Sequence, residues 1–235
     1  MNPSNRKALV FGGTSGIGLA VSLRLAAHGA RVVAISRNPE RARDELPSEV
    51  TLETCDTRNA EDVEAVFKTH APVDLLVNTA TGGVRASGPF AEMDMDAFKG
   101  SFDKLWGYAN TVRFGLPHMS EDASIVLITG APAKRSLTGQ VALGSVGGAI
   151  QAFVLRIARE IAPKRINVVS PGLIDTPMFG PDPELRKKAL QPAVDQFLIK
   201  RLGTPDEVAE AVEFLILNEY ATGTTIDVDG GWLLS

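Results

Sequence analysis

The stretch that most constrains this chain is Lys7 to Gly18, KALVFGGTSGIG. Ala8 to Phe11 is a short apolar run of the kind that fills a sheet covered on both faces. Gly12, Gly16 and Gly18 then break the strand, and LAVSLRLAAHG follows with helical spacing of its apolar positions. A strand that turns on glycines into a helix leaves unpaired backbone N–H groups at the positive end of the helix dipole, which is a ready anion site. Glycine is needed because a Cβ would keep a pyrophosphate from the backbone. Thr14, Ser15 and Ile17 complete the predicted cradle.

The rest of the chain repeats the strand-then-helix pattern. Arg31 to Ser36, Val50 to Cys55, Asp74 to Asn78, Ser124 to Thr129 and Arg165 to Ser170 read as strands, the third of the chain alternating enough to lie near an edge. Long helices are predicted from about Met95 to His118 and from about Gly139 to Ala162. Thr204 is a good N-cap for the last helix, with Pro205 in its first turn. Alternation of this kind gives an α/β fold, a doubly wound parallel sheet. The 235 residues fit one domain, 1–235, with no linker or internal repeat.

A net charge of −4 argues against nucleic acid as a partner, because phosphate binding needs clustered Lys and Arg. The single cysteine, Cys55, excludes an internal disulfide and suits a reducing compartment. No apolar run approaches membrane-spanning length, so a cytoplasmic protein is expected. His28, His70 and His118 lie far apart without partners at metal spacing; surface positions and no metal site are expected.

The G-x-x-x-G-x-G spacing resembles the T-G-x-x-x-G-[IL]-G signature of the short-chain dehydrogenase/reductase family, with Phe11 in place of the usual Thr. The similarity runs from Lys7 to Gly231 and implies a seven-stranded Rossmann sheet, a nicotinamide dinucleotide and a homodimer or homotetramer. Asp56, with Thr57, matches the family's adenine-holding Asp, although an N-cap for the following helix explains Asp56 equally well. Asn78 and Ala80 match the family's N-N-A-G, whereas Thr79 and Thr81 depart from it. Pro171-Gly172-Leu173-Ile174-Asp175-Thr176 matches P-G-x-x-x-T, which implies that Ile174 and Thr176 grip the nicotinamide half. Residues 175–200 resemble a substrate lid, and Gly223 to Gly231 the last strand with its D-G-G turn. Where such folds carry an acidic residue for the ribose of NAD, this chain has Ser36 and Arg37. A hydroxyl and a planar cation there favour NADP(H) over NAD(H), with Ser15 as a second phosphate donor; otherwise Arg37 merely opens a charged, solvated stretch.

The catalytic set departs from the family. Aligning GQVALGSVGGAIQAF on G-Q-x-x-Y-x-x-x-K-A-A puts Leu143 at the Tyr position and Gly147 at the Lys position, and Gly130 falls at the Ser position. Lys104 replaces the Asn of N-L-x-G. Gly144, Gly147 and Gly148 form a small-residue patch, read either as helix packing or as space into which Lys104 extends its ammonium as a substitute for the missing lysine; the alternative is a Lys104 that snorkels to solvent. Leu143, Val84, Phe90 and Phe179 suggest an apolar pocket for a small substrate. Arg186, Lys187 and Lys188 are either cations at its mouth or a solvated helix face. Three functions stay open: an NADP(H)-dependent oxidoreductase of atypical mechanism, a non-catalytic NADP(H)-binding sensor or partner subunit, and a non-redox enzyme using the same pocket.

Overall fold

The computed structural model describes residues 1–135 and 137–235. In chain order the elements are β1 (Lys7–Phe11), α1 (Gly16–Ala27), β2 (Arg31–Ser36), β3 (Thr51–Thr54), α2 (Ala60–His70), β4 (Val73–Asn78), α3 (Met95–Ser101), α4 (Asp103–Gly115), β5 (Met119–Ile128), α5 (Val141–Ile157), β6 (Arg165–Pro171), α6 (Pro183–Val194), α7 (Pro205–Leu217) and β7 (Thr225–Val228). The seven strands form one parallel sheet in the order β3-β2-β1-β4-β5-β6-β7. The order reverses between β1 and β4, where Val10 stands between Ala34 and Val77. Ligands bind at such a reversal, beyond the carboxyl ends of the strands.

Alternation along each strand feeds two cores. On one face Ala8, Val10, Ala34, Val77 and Val126 pack against Val21 and Leu25 of α1 and Val208, Val212 and Ile216 of α7. On the other Leu9, Phe11, Ile35, Leu76 and Leu127 meet Phe67 of α2, Tyr108 and Val112 of α4, and Ile150 of α5. The Phe11 and Phe67 rings stack at 5.9 Å. The expected edge position of β3 is observed, and Thr204 caps α7 in a capping box with Glu207.

Local chemistry redraws several predicted boundaries. The helix read as Met95 to His118 breaks at Phe102 and ends at Gly115. Ser101 donates to the Ala97 carbonyl at 2.9 Å and accepts from the Ala86 N–H at 2.9 Å, so a hydroxyl that belongs to the helix also anchors the loop after β4. The helix after β5 runs Val141–Ile157, shorter than Gly139 to Ala162. Asp56 does not cap α2: Asn59 does, accepting from the Glu61 and Asp62 N–H groups. His28 is exposed, but His70 is partly buried against Glu53 at 3.2 Å, and His118 is also partly covered.

Arg165 holds the sheet to α7. Its buried guanidinium donates to the carbonyls of Leu215 (2.8 Å), Ile216 (2.9 Å), Asn218 (3.0 Å) and Ala221 (2.9 Å), the negative end of that helix and the turn beyond it. Arg165→Met leaves those acceptors without their donor; urea unfolding should show a loss of about 2–4 kcal/mol.

Candidate functional site

A cavity of about 880 Å³ opens at the carboxyl ends of the strands. The glycine turn forms one wall, with Gly12, Thr14, Ser15, Gly16, Ile17 and Gly18 all lining it. Gly12 (φ +77°) and Gly16 (φ +51°) are left-handed. A Cβ on Gly12 would collide with Thr79 Oγ1 and the Ala80 nitrogen, and one on Gly18 with the Gly12 carbonyl. Thr79, a departure from the expected motif, earns its place here: its hydroxyl and its N–H both donate to the Phe11 carbonyl, at 3.0 and 2.8 Å. Ser15 is the N-cap of α1, yet its hydroxyl makes no capping bond, and the residue lines the cavity.

Beyond β2 and β3 the wall is made by Ser36, Arg37, Asp56 and Thr57. Arg37 makes no ion pair among the described residues. Asp56 accepts from Arg58 Nη2 at 2.6 Å, and this pairing holds its carboxyl below the usual range despite desolvation. Asn78 is placed differently from the other predicted cofactor residues. It is fully buried and off the cavity, donating to Thr111 Oγ1 at 2.9 Å and accepting from the Ala80 N–H at 2.9 Å. It braces the main chain of Ala80, which does line the wall. Opposite lie Pro171, Gly172, Ile174 and Thr176, and Thr176 packs so close to Gly16 that a Cβ there would sit 3.2 Å away. The two halves of the cradle therefore touch.

At the inner end, Gly130, Leu143 and Gly147 line the cavity with Lys104. No tyrosine joins them among the described residues. Tyr108 is buried, donates to the Ile128 carbonyl at 2.8 Å, and burial holds its phenol well above the usual range; Tyr220 is fully exposed. Lys104 Nζ lies 3.4 Å from the Thr129 carbonyl and 5.5 Å from the Tyr108 ring centroid. Burial, then the nearby Arg85 guanidinium, push its ammonium down to about 7. It does not snorkel to solvent. Nor is space left open at Gly147, since a Cβ there would meet Ala133 Cβ at 2.8 Å. The Lys104 head group is tied instead to the end of β5.

The apolar wall includes Leu143 and Phe179 as expected, but Val84 and Phe90 are exposed off the cavity. Arg186 is not a cation at the mouth: it turns inward onto Asp175 at 2.7 Å and the carbonyls of Gly180 and Pro181. Lys187 pairs with Glu184, and neither it nor the exposed Lys188 lines the cavity. Sequence reasoning missed Arg85 and Thr129. Arg85 sits in a glycine-rich loop without periodicity, and Thr129 is marked only by adjacency to Gly130. Among the described residues no cluster of three or more His, Cys, Asp or Glu could hold a metal, and no helix is long and apolar enough to cross a membrane.

The family model described as enoyl-(acyl carrier protein) reductase matches residues 12–233. Carbonyl reductase family member 4 of Danio rerio is 34% identical over 238 residues, covering 97% of this chain and 98% of the relative. A short-chain dehydrogenase/reductase structure from Brucella melitensis, titled as a glucose/ribitol dehydrogenase, superposes with a TM-score of 0.90 at 31% identity, covering 100% of this chain and 99% of its own. A small-chain dehydrogenase in complex with NADPH superposes with a TM-score of 0.81 at 27% identity, over 99% of this chain and 100% of its own.

Lys104 gives the site a pH signature. Its amine loses a proton near pH 7 in the folded chain but near 10.4 when unfolded, so the unfolded state binds more protons between these values and stability rises with pH there. The stability difference between wild type and Lys104→Met should therefore move in favour of wild type from pH 7 to 9, with a limiting slope of about 1.4 kcal/mol per unit, in denaturant titrations. A flat difference would mean an ammonium that titrates as if in water.

Proposed function

We propose that this chain, which belongs to the short-chain dehydrogenase/reductase family, is an NADP(H)-dependent oxidoreductase whose proton chemistry runs without the family's tyrosine. The observation that carries this is the unbroken cradle: the glycine turn, Arg37 and the 171–176 segment line one cavity, so both halves of a dinucleotide have partners. The group fits, because the glycine turn, the Ser15 hydroxyl that makes no capping bond, and Arg37, which makes no ion pair among the described residues, all line the same cavity. Backbone N–H groups at α1, with the Ser15 hydroxyl, would hold the pyrophosphate, and Arg37 with Ser36 the ribose 2′-phosphate. Asp56 would face the adenine, and Ile174 and Thr176 the nicotinamide. When bound, the cofactor supplies or accepts hydride.

The chain's own part is electrostatic and acid–base. Leu143 and Gly147 stand where the family's phenol and lysine are expected, and Lys104 is the lysine at the inner end among the described residues. With a proton affinity near neutrality it can give or take a proton at a substrate oxygen. General acid help of this kind is worth roughly 10²–10⁴-fold. Residues 175–200 form the substrate lid in this reading, fixed by the Arg186–Asp175 pair. The protein works as a homodimer or homotetramer in the cytoplasm on a small molecule.

A second reading, a non-catalytic NADP(H)-binding sensor or partner subunit, is favoured by one observation: neither tyrosine of the chain reaches the cavity. Fluorescence titration separates cofactor binding from turnover. NADPH should bind more tightly than NADH, and Arg37→Ala should weaken NADPH by about tenfold or more while leaving NADH nearly unchanged. Absence of NADPH oxidation across aldehydes, ketones, quinones and enones would remove the redox reading and leave the sensor and a non-redox enzyme using the same pocket. Rebuilding the family's set is possible at two positions directly. Gly130 is extended, with 3.4 Å from a Cβ to Pro132, so Ser fits; Leu143→Tyr replaces one cavity-lining side chain with another. Gly147→Lys needs Ala133→Gly beside it. Carbonyl reduction by that combined variant, and none by the same variant without Ala133→Gly, is the expected pattern.

A further inference from the structure

We infer that the inner end of this cavity, between Lys104 and Arg85, receives the carboxylate of a substrate that is an organic acid with an apolar body. This names the substrate class of the site described above; it rests on that reading only for the cofactor half of the cavity.

Four of the described lining residues are charged, and they divide by position. Arg37 and Asp56 stand at the ends of β2 and β3. Arg85 and Lys104 stand together on the far side, and no carboxylate pairs with either among the described residues. Other inward-turned cations of the chain are handled differently: Arg24 lies on Glu213, Arg186 on Asp175 and Arg165 on four carbonyls. The two cavity cations repel each other, and among the described residues their partners are uncharged: a sulfur, a carbonyl and, for Lys104, the Tyr108 ring. Arg85 donates to Met178 Sδ at 2.7 Å, and Lys104 reaches the Thr129 carbonyl at 3.4 Å. Lys104, half-buried beside a second cation, is the group whose charged form an anion would favour.

The groups facing the Lys104 ammonium are few. From its own helix comes Tyr108, held by the Ile128 carbonyl, while Asp103 turns away to Arg58 at 3.5 Å. The loop after β4 contributes Arg85, the end of β5 the Thr129 carbonyl, and α5 the uncharged Ala142, Leu143, Val146 and Gly147. The loop is fixed on the helix start: a Cβ at Gly82 would lie 2.5 Å from the Lys104 nitrogen. Arg85 presents a planar fork and Lys104 a point charge, which suits the two oxygens of a carboxylate. Leu143 and Val146, which line the same cavity, offer no polar side chain for a phosphate's third oxygen. Those residues, with Phe197 and Trp232 further along the wall, give the apolar body its surface.

Anion binding would favour the charged form of Lys104, so the site takes up a proton when the acid binds above neutral pH. Calorimetry on NADPH-saturated protein at pH 8 tests this with hexanoate, hexanamide and hexyl phosphate. Hexanoate should bind about tenfold or more tighter than hexanamide, with an enthalpy that varies with the buffer's ionisation heat, reporting uptake approaching one proton. Arg85→Gln, a change at an exposed side chain, should erase hexanoate's advantage; Lys104→Met should erase the proton uptake as well. NADPH titration of each variant confirms that it is folded. Equal binding of acid and amide, a preference for hexyl phosphate, binding of none of the three, or an unchanged acid preference in Arg85→Gln overturns the inference. If NADPH fails to bind while hexanoate still discriminates in cofactor-free protein, the cofactor reading falls and the acid site stands.

Discussion

The close approach of three backbone segments at the sheet's reversal point governs this structure. Gly18 stands where a Cβ would strike the Gly12 carbonyl, and Gly12 where one would strike Thr79 at the end of β4. Thr79 in turn holds Phe11 by two bonds to one carbonyl. The strand, the turn and the helix start are thus locked at a spacing only glycine permits. The same spacing that packs the core exposes the α1 N-terminus to the cavity. Asn78 extends the lock inward by tying Ala80 to Thr111 of α4. Packing and ligand site are one construction here, and a substitution that harms one harms both.

Most of the fold was legible because buried parallel strands announce themselves as apolar runs, and Val10, Leu76 and Leu127 are central in any reading. The cavity wall was legible for a related reason: the glycine turn and the 171–176 segment that line it are each contiguous in sequence. What was hidden depends on contacts between distant segments. The helix break at Phe102 follows from Ser101 serving the loop at Ala86, which no local propensity encodes. Asn59 rather than Asp56 caps α2 because Arg58 claims the Asp56 carboxylate. Gly147 looked like vacated space, yet the turn after β5 brings Ala133 against it. Arg85 had no periodicity to mark it, and its meaning comes only from standing opposite Lys104.

Charge placement separates the two ends of the cavity. At the β2 and β3 end Asp56 is neutralised by Arg58, which leaves Arg37 as the open cation facing the wall. At the inner end the cations have no counter-charge among the described residues, and burial makes the Lys104 ammonium costly to keep. Desolvation and repulsion act in the same direction on that group, whereas a bound anion would oppose both. The inner end is therefore tuned by what enters it.

The inner end holds Lys104 and, among the described residues, no tyrosine. A phenol beside a lysine works when the cation lowers the phenol's proton affinity and the substrate is neutral. Here the remaining phenol, Tyr108, is spent on the Ile128 carbonyl and pushed far from useful range by burial. Lys104 lies over that ring, so Tyr108 acts as the floor beneath the ammonium rather than as an acid. Restoring a hydroxyl at Leu143 without changing Lys104 would place an acid next to a group already poised to exchange protons near neutrality. An anion at the inner end would meet positive charge from both Lys104 and Arg85, fixed there by the chain before any ligand arrives.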